Sequence, residues 1–555
     1  MLNTNSSRHA PQAGDLRPAL QEWAALPGVR EVLAADTALA RYGIDTGGAT
    51  RRLAGALLIE DAGALPEVVR IAARHQVPLH PISTGRNWGY GTALPATDDC
   101  VVVDLSALQR IVDFDPVLGV VSVEPGVTQG MLAHYLDEGS HDYMVPVTGA
   151  GPDASLLGNA LERGYGITPV ADHFAAVTDI EAVLADGSVF RTSLAQAGCG
   201  ELARLFKWGV GPYMTGLFTQ GGFGIVTRVT LLLARRPGCV RVGLFSLPDD
   251  DALDATVARV RQVLARLPGI VGGVNLMNRR RILAMVAPYP HGEAGPDGLL
   301  PDALIARMGA AHQVMPWTGF MTLYGTPKVV RAAQHEVRRT LAPLARRLIF
   351  VGPGLSATLV ALARRLPAPW GPKLRATAST LNSALELARG RPNRTALPLA
   401  FWRGGGIAAA GPAADPAADI RAGLLWYAPL VPMRADAVRA AVDLIESVAR
   451  RHGIEPLITL TSVGERLFDC TVPLLFDRAS PQAVRSATRC WSALLDEGQR
   501  IGIFPYRFGV DGMSRAREFM GHAWRHGDAL RRAWDARELL SPGRYGSVLA
   551  TTPDT

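Results

Sequence analysis

The sequence is short of cysteine, and the cysteines it has are poorly placed for a covalent or metal framework. There are five in 555 residues, at positions 100, 199, 239, 470 and 490, and no Cys-x-x-Cys occurs. An odd number of widely separated thiols disfavours a disulfide scaffold and fits a reducing compartment. No group of His, Asp or Glu has metal-ligand spacing either, so we expect no metal site.

Long apolar runs are also missing. No stretch approaches eighteen apolar residues without a charge, a proline or a glycine, so no membrane span is expected. The first residues, Met1 to Leu16, are polar and lack the apolar segment of a secretory signal. On these grounds we expect a cytoplasmic protein.

Charge is scarce and evenly spread. Charged residues make up 19% of the chain, with 57 basic and 50 acidic side chains and a net charge of +7. The basic residues are scattered or stand in short helical groups such as Arg279-Arg280-Arg281 and Arg531-Arg532. Nucleic-acid binding would need them gathered on one face or interleaved with stacking aromatics. We therefore expect solvated helix faces with a mild preference for anionic substrates, and no nucleic-acid partner.

Apolar residues and glycine are plentiful. Apolar residues make up 48% of the chain and there are 58 glycines, which indicates a core-rich globular protein. The length predicts two or three domains. Within 50–236, strands are expected at Ala56–Ile59, Val77–Ile82 and Ile225–Leu233, a helix at Gln129–Asp137, and a hairpin at Asp186-Gly187.

The first of three glycine-rich loops in this part of the chain runs from Ser83 to Gly91. Small residues leave a row of backbone N–H groups accessible there, and such a row can wrap a phosphate. The alternative is a tight structural turn between strands. The glycine spacing is not the Gly-x-Gly-x-x-Gly of the common dinucleotide motif. Two further loops, at 148–155 and 158–166, favour an elongated dinucleotide that contacts the backbone at several points, and FAD fits this pattern.

Several motifs together resemble the vanillyl-alcohol oxidase / p-cresol methylhydroxylase family of FAD-linked oxidoreductases. They are Pro81–Gly91, Val123–Val127, Leu157–Gly164, Trp426–Pro429 and Ser541–Arg544. The likeness spans about 50–236 and 425–546. It implies an α+β protein with a two-part PCMH-type FAD-binding domain and an α/β cap domain that carries an antiparallel sheet over the substrate. A homodimer is expected.

The resemblance divides the chain into four parts: an N-terminal helical segment (1–49) that packs on the FAD domain, the FAD-binding domain (50–236), the cap (237–499), and a segment that returns to the FAD domain (500–555). It also implies which residues contact FAD. These positions are Ser83, Thr84, Gly85, Arg86, Asn87, Gly89, Gly126, Ser155, Gly158, Asn159, Gly164, Ile225 and Arg544.

The substrate site is implied by three further residues. In family members that act on 4-alkylphenols, two tyrosines and an arginine bind the phenol oxygen as a phenolate, and the similar residues here are Tyr90, Tyr506 and Arg507. Two O–H donors and a guanidinium on one oxygen stabilise its anion. The electron-rich ring then releases a hydride from its para benzylic carbon to flavin N5 and becomes a quinone methide.

The chain departs from the family at the flavin attachment and at the acid/base. Leu424 falls near the histidine that the oxidase branch bonds to the flavin, so we expect non-covalent FAD unless Tyr427 or His173 serves. The family's aspartate near N5 falls at Ala150, which leaves Asp153 and Asp469 as catalytic candidates. Asp153 could equally be the cap of a Gly-Pro-Asp turn.

The predicted function is an FAD-dependent oxidase or dehydrogenase of a small aromatic, para-substituted phenolic substrate, reoxidised by O2 or by an electron-acceptor protein. Two alternatives stay open. One is a dehydrogenase of a 2-hydroxy acid or another alcohol, with Arg507 on a carboxylate. The other is a flavin-binding subunit without turnover, motivated by the missing acid/base residue.

Overall fold

The computed structural model describes residues 16–354, 361, 370–404 and 414–546. Residues 1–15 and 547–555, which belong to the terminal segments predicted from the sequence, lie outside the described residues.

The chain begins with a sheet in the order β1-β2-β4-β3. Its strands are β1 (Val29–Ala34), β2 (Leu53–Ile59), β3 (Leu79–Ile82) and β4 (Cys100–Asp104). Strands β2, β4 and β3 are parallel, and β1 pairs antiparallel with β2 at one edge.

The N-terminal segment differs from its helical prediction. Helix α1 (Leu16–Ala24) ends before Pro27-Gly28, and β1 then adds to the sheet before α2 (Ala35–Tyr42) begins. Gly28 has φ of +86°, a conformation that ends the helical segment and turns the chain back along β2. The expectation of a wholly helical segment is therefore wrong, because a strand inside it completes the sheet.

An antiparallel sheet follows, in the order β5-β6-β10-β8-β9. Its strands are β5 (Ile111–Asp115), β6 (Val120–Val123), β8 (Val177–Val183), β9 (Val189–Arg191) and β10 (Ile225–Leu232), and a short pair joins β7 (Tyr143–Met144) to β11 (Ala234–Arg235). The helices of this region are α3 (Leu65–His75), α4 (Gln129–Glu138), α5 (Leu156–Leu161), α6 (Ser193–Gln196) and α7 (Gly200–Ala203). The hairpin at Asp186-Gly187 and the predicted strand and helix at 225–233 and 129–137 are confirmed within one residue.

The second half of the chain builds a long antiparallel sheet in the order β15-β12-β14-β13-β18-β19-β17-β20, with β16 also on β19. Its strands are β12 (Cys239–Leu247), β13 (Val271–Asn278), β14 (Trp317–Gly325), β15 (Arg347–Val351), β16 (Ala422–Tyr427), β17 (Pro429–Pro432), β18 (Thr459–Val463), β19 (Leu467–Asp477) and β20 (Phe504–Pro505). The helices are α8 (Ala252–Arg266), α9 (Arg279–Val286), α10 (Asp302–His312), α11 (Pro327–Leu341), α12 (Trp370–Ala388), α13 (Ala435–Arg451) and α14 (Pro481–Arg500).

The two faces of this sheet have different neighbours. Leu276, Leu460 and Phe468, on adjacent strands, join one large core with the buried sides of α8, α11, α13 and α14. Side chains alternate along a strand, so Asn275, Thr461 and Asp469 lie on the opposite face. These three are also direct cross-strand partners, because Asn275 pairs with Thr461 and Thr461 pairs with Asp469.

The end of the chain returns to the first sheet. After α15 (Met513–Trp534), the Leu79 N–H donates to the Leu539 carbonyl at 2.8 Å and the Ser541 N–H donates to the Leu79 carbonyl at 2.8 Å. Segment 504–505 instead pairs with β17 in the large sheet. The C-terminal turn at Ser541–Arg544 therefore lies beside the strand that leads into the first glycine-rich loop.

The basic helical groups are not simply solvated faces, and that expectation is wrong for three of their members. Arg280, Arg281 and Arg531 are all buried. Arg280 pairs with Glu455 and, at 2.6 Å, with Asp302, while the Arg531 guanidinium donates to the Ser541 carbonyl at 2.8 Å. Buried guanidinium groups need such partners. Among the described residues, the Nε and Nη1 atoms of Arg281 meet no such partner.

The sequence analysis predicted neither a membrane-spanning helix nor a metal site. Among the helices of the described residues, none is long and apolar enough to cross a bilayer. The same residues contain no group of three His, Cys, Asp or Glu side chains placed to hold a metal ion. The cysteines are unpaired thiols, and Cys470 is buried in the core of the large sheet, where burial raises its pKa and keeps it protonated.

Candidate active site

The first glycine-rich loop leaves three successive backbone amides without a protein partner. Within the described residues, the N–H groups of Thr84, Gly85 and Arg86 meet no hydrogen-bond acceptor. Gly85 adopts φ of +65°, which turns the chain so that neighbouring amides can point to one side. Such a concave row of N–H groups is a ready site for a phosphate, and it fits the pyrophosphate of FAD.

Gly89, later in the same loop, is required by close packing. Its φ is +77°, and an added Cβ would lie 2.4 Å from Trp426 Cδ1. Its N–H donates to Thr46 Oγ1 at 2.7 Å, and its carbonyl accepts from the Trp426 N–H at 3.3 Å. The loop is thus fixed from both sides, by the N-terminal segment and by strand β16.

The other predicted cofactor residues pack the neighbouring loops against the first. Ser155 caps α5 by accepting the Gly158 N–H at 3.0 Å. A Cβ at Gly158 would lie 2.4 Å from Ser83 Oγ, so the second and first loops are in direct contact. The side chain of Asn159 bonds to His173.

Gly126 and Ile225 hold backbone positions. The Gly126 N–H donates to the Leu108 carbonyl at 2.7 Å, and a Cβ at Gly126 would lie 2.3 Å from the Ser106 carbonyl. Ile225 is the buried first residue of β10. At Gly164, a Cβ would lie 2.3 Å from the Asn159 side chain. These residues shape the site, and their contact with FAD stays a prediction.

Asp153, a candidate acid/base, is held by two cations. Its Oδ2 lies 2.9 Å from Arg86 Nη1 and also pairs with Arg394. This arrangement orients Arg86 beside the loop and commits the Asp153 carboxylate to two ion pairs, so the structure favours a structural role for it.

Glu162 joins two arginines with different predicted roles, Arg507 at the phenol oxygen and Arg544 at FAD. Its Oε2 accepts from Arg507 Nε at 2.9 Å, and its Oε1 accepts from Arg544. The side chains of all three are at most 16% exposed. The carboxylate therefore compensates two guanidinium groups that come from the end of the chain. Arg507 also donates to the Asn87 side chain in the first loop.

The three residues predicted to bind the phenol oxygen do converge. The Arg507 guanidinium lies 4.2 Å from the centre of the Tyr90 ring. Burial raises the pKa values of Tyr90 and Tyr506, and the nearby Tyr90 hydroxyl adds to the raised pKa of Tyr506. Both hydroxyls therefore stay protonated at neutral pH. Within the described residues neither hydroxyl has a hydrogen-bond partner, so both can donate to a bound molecule.

Asp469 lies on the large sheet close to these tyrosines. It is 5% exposed, and its Oδ1 meets no hydrogen-bond partner within the described residues. Burial raises its pKa to about 7. Its charge contributes to the raised pKa values of Tyr90 and Tyr506. A carboxyl with a pKa near neutrality and an unpartnered oxygen is suited to proton transfer.

Of the three positions considered for covalent attachment, Leu424 and Tyr427 offer no free nucleophile. Leu424 lies beside the first loop, 3.2 Å from where a Cβ on Gly89 would be. The Tyr427 hydroxyl donates to the Leu494 carbonyl at 2.9 Å inside the core of the large sheet. Burial lowers the pKa of His173 to about 4, and its Nδ1 bonds to Asn159, although its Nε2 has no partner within the described residues.

Four residues of the site were missed by sequence reasoning. Glu162 falls inside the motif Leu157–Gly164, and Tyr165 lies just after it in the glycine-rich loop. The Tyr165 ring contacts the Tyr506 ring edge-on with centres 5.5 Å apart. Arg394 pairs with Asp153, and the Arg531 guanidinium donates to the Ser541 carbonyl in the C-terminal turn. Only Glu162 could have been found from the sequence, because it is a charged residue between two glycines of the motif Leu157–Gly164.

Comparisons with known proteins agree with this geometry. A family model described as an FAD binding domain matches residues 54–193. The 1'-carboxy-chondrochloren decarboxylase of Chondromyces crocatus is 32% identical over 532 residues, which cover 96% of this chain and 97% of that protein. The 4-cresol dehydrogenase [hydroxylating] flavoprotein subunit of Pseudomonas putida is 27% identical, with 96% of each chain covered. A crystal structure of p-cresol methylhydroxylase with substrate bound superposes with a TM-score of 0.84 at 26% identity, covering 96% of both chains.

The fold, the amide cradle and these matches define an FAD-dependent oxidoreductase. All three glycine-rich loops lie within the residues that the FAD-binding model matches, and the large antiparallel sheet carries Asp469 close to Tyr90 and Tyr506. The chain belongs to the vanillyl-alcohol oxidase / p-cresol methylhydroxylase family.

Proposed function

We propose that this protein oxidises a small aromatic substrate with a para-substituted phenol group. The observation that carries the proposal is the convergence of Tyr90, Tyr506 and Arg507, with two unpartnered hydroxyls and a guanidinium 4.2 Å from the Tyr90 ring centre. These groups would bind the substrate oxygen and stabilise it as a phenolate. Bound FAD supplies the acceptor for the hydride that leaves the para benzylic carbon.

The residues of the chain have distinct roles in this proposal. Tyr90 and Tyr506 donate to the phenolate oxygen, and Arg507 supplies the nearby positive charge. Glu162 holds Arg507 in place through the 2.9 Å contact to its Nε. Asp469 takes the proton that must leave as the oxidised substrate is converted to product, for example from a water that attacks the quinone methide.

Arg544 and the first loop are proposed to hold the cofactor. Arg544 is partly buried, with its side chain 15% exposed, and it contacts Glu162. Its cation would stabilise negative charge on the flavin ring. Thr84, Gly85 and Arg86 would donate their backbone N–H groups to the pyrophosphate. FAD is held without a covalent bond, since Leu424 carries no nucleophile.

Oxidative decarboxylation of a carboxylated phenol is a second candidate. The similarity to a decarboxylase at 32% identity over nearly the whole chain favours it. If the carbon next to the benzylic position carries a carboxylate, hydride loss gives a quinone methide. The C–CO2 bond then breaks, its electron pair forms the new C=C bond, and the ring returns to a phenolate. The net products are CO2, an alkenylphenol and two electrons carried by the cofactor.

The remaining alternatives receive less support. A 2-hydroxy acid would need Arg507 to bind a carboxylate, but Glu162 already compensates that guanidinium. A non-catalytic flavin subunit was motivated by a missing acid/base, and Asp469 with its raised pKa is available for that role. Reoxidation by O2 or by an electron-acceptor protein, and assembly as a homodimer, are kept as proposals.

Anaerobic mixing with a panel of phenols tests the proposal. We expect 4-ethylphenol or 3-(4-hydroxyphenyl)propanoate to bleach the flavin absorbance, and 4-tert-butylphenol, which has no benzylic hydrogen, to bind without bleaching. Release of CO2 and 4-vinylphenol from the propanoate would identify decarboxylation. If 2-hydroxy acids bleach the flavin and no phenol does, the proposed function is wrong.

A further inference from the structure

Arg281 is a buried cation without a counter-ion in the protein. It lies in the first turn of α9, is 8% exposed, and its Nε and Nη1 meet no hydrogen-bond partner within the described residues. Burial alone lowers its pKa to about 10, and no carboxylate raises it again. An isolated buried guanidinium is strongly disfavoured unless an anion pairs with it.

The neighbouring Arg280 has the partners that Arg281 lacks. Arg280 is 5% exposed and contacts Glu455, the Leu300 carbonyl at 3.0 Å and Asp302 at 2.6 Å. Two adjacent arginines of one helix are therefore equally buried, and only one is compensated. The internal segments outside the described residues, 355–369 and 405–413, contain no Asp or Glu in the sequence. No carboxylate of the described residues reaches Arg281, so a bound anionic ligand would supply the missing counter-charge.

Helix α9 adjoins the substrate face of the large sheet. It follows directly from β13, whose Asn275 lies on the same face as Asp469. Asn275 Oδ1 and Thr459 Oγ1, on β13 and β18, are also buried without a partner within the described residues. Thr459 pairs with Met277, two residues before α9 begins. Unsatisfied polar atoms thus extend along adjacent strands from Asp469 toward α9.

The helix also approaches the cofactor loop. Leu283 and Ala284 of α9 belong to one buried cluster with Trp88 of the first loop and with Leu424. One strand residue adds about 3.3 Å, so the Met277–Thr459 pair lies about 7 Å along the sheet from the Asn275–Thr461 pair. A substrate whose phenol lies at Tyr90 and Tyr506 would extend its para side chain along this surface.

We propose that Arg281 binds a carboxylate on the para side chain of the substrate, so that the enzyme acts on anionic phenols. This inference rests on the proposed function and narrows its substrate class. Asn275 and Thr459 supply polar contacts between the ring and the carboxylate. A guanidinium would also bind a phosphate of FAD. The experiment below distinguishes a substrate carboxylate from a cofactor phosphate.

The test measures affinity for matched probes. The probes are 4-hydroxyphenylalkanoates with side chains of three to six carbons, each paired with the 4-alkylphenol of equal length, and Kd is read from the change in flavin absorbance on binding. We expect at least one acid to bind the wild type tenfold or more tightly than its neutral partner. In Arg281→Met that preference is lost and the alkylphenols bind as before, while Arg281→Lys retains part of it.

Arg279→Met is the matched control. It removes the same charge two residues away, where, among the described residues, the side chain donates to the Val314 carbonyl alone, at 3.3 Å. The preference for acids should persist in this variant. Arg281→Met should also raise the melting temperature, because an uncompensated buried charge is replaced by an apolar chain of similar length. This second readout does not depend on any ligand.

The outcomes are separable. If both probes bind and reduce the flavin but no acid is preferred, or if Arg281→Met leaves the preference intact, Arg281 does not bind a substrate carboxylate and the phenol oxidation stands. If Arg281→Met is purified without FAD while Arg279→Met keeps it, Arg281 binds a cofactor phosphate and the inference is overturned. If acids bind through Arg281 and no phenol bleaches the flavin, the proposed function fails and the anion site remains.

Discussion

Arg507 and Glu162 are 345 positions apart in the chain, and their side chains meet at 2.9 Å. The same guanidinium lies 4.2 Å from the centre of the Tyr90 ring. Glu162 therefore determines where the positive charge of the proposed phenol site lies. Because Glu162 also contacts Arg544, one carboxylate positions the cations on both the substrate side and the cofactor side.

Removing the Arg507 charge should slow substrate oxidation. In Arg507→Met the phenolate loses its nearby cation, so we expect flavin reduction by a reactive phenol to slow by about 10²–10³-fold, the range seen when one charge-stabilising group is removed. Stopped-flow absorbance under anaerobic conditions measures this rate. Arg507→Lys should recover part of it, and an unchanged rate in Arg507→Met would exclude a role for this charge.

Glu162→Gln should destabilise the folded protein and weaken FAD retention. The substitution keeps the shape of the side chain but leaves two poorly hydrated guanidinium groups facing each other, which costs about 3 kcal/mol in comparable buried pairs. Thermal unfolding followed by flavin fluorescence reports both effects. Glu67→Gln removes an exposed carboxylate that also contacts two arginines, and should leave the melting temperature nearly unchanged.

Asp469 should make stability fall as pH rises. Burial raises its pKa to about 7 in the folded protein, against an ordinary value of 3.8. Between pH 4 and 7 the unfolded chain releases a proton that the folded protein keeps, so unfolding becomes easier with rising pH. A shift of three pKa units corresponds to a loss of roughly 4 kcal/mol in the free energy of unfolding, and this loss is complete above pH 7.

Asp469→Asn measures this directly. The variant should match the wild type at pH 4 and exceed its melting temperature increasingly up to pH 8. Product formation should behave oppositely, because the wild type needs the ionised carboxylate: its rate should rise through pH 7, and the variant should be slow and independent of pH in this range. A variant with wild-type rates would remove Asp469 from the mechanism.

Gly89→Ala should abolish cofactor binding. The new Cβ would lie 2.4 Å from Trp426 Cδ1 at a φ of +77°, so the first loop cannot keep its path. The flavin-to-protein absorbance ratio of the purified variant measures the loss. Gly527→Ala, in α15 with nothing within 4 Å of the added methyl, is the control and should keep FAD. Full FAD content in Gly89→Ala would mean that the loop can shift.

Acid precipitation should release the flavin. Leu424 has no nucleophilic atom, and the Tyr427 hydroxyl is committed to the Leu494 carbonyl. A yellow supernatant over a white pellet is the expected result, and FAD should rebind to protein from which it was removed by mild denaturation. A yellow pellet would require another attachment site, of which His173 would be the first to substitute.

Much of the fold follows from local pattern. The strand at 225–233 and the helix at 129–137 have strong periodicity, and the structure places them within one residue. The strand that begins at Val29 was not predicted, because it is half exposed at a sheet edge and its residue spacing also suits a helix. Edge strands depend on the partner strand, here β2, more than on their own residues.

The sequence identified residues that we propose to contact the cofactor or the substrate, but not the residues that hold those side chains in place. Tyr90, Tyr506 and Arg507 were found through motifs, and Asp469 from its place on a strand. Glu162, Arg394 and Arg281 depend on contacts between distant segments, which no local pattern encodes. Arg280 and Arg281 illustrate this limit: they are adjacent and identical in type, and only the fold separates a compensated cation from an uncompensated one.

The return of the chain end to β3 has a consequence for biosynthesis. Arg507, Arg544 and the turn at Ser541 reach the first loop only after the last segment is made, whereas the loop itself appears within the first hundred residues. During translation, domains fold as they emerge, so the nascent protein presents an amide cradle long before the cations around it arrive. The proposed cofactor site is therefore complete only after Ser541 and Arg544 have been made, and we expect a chain interrupted before Ser541 to retain little FAD.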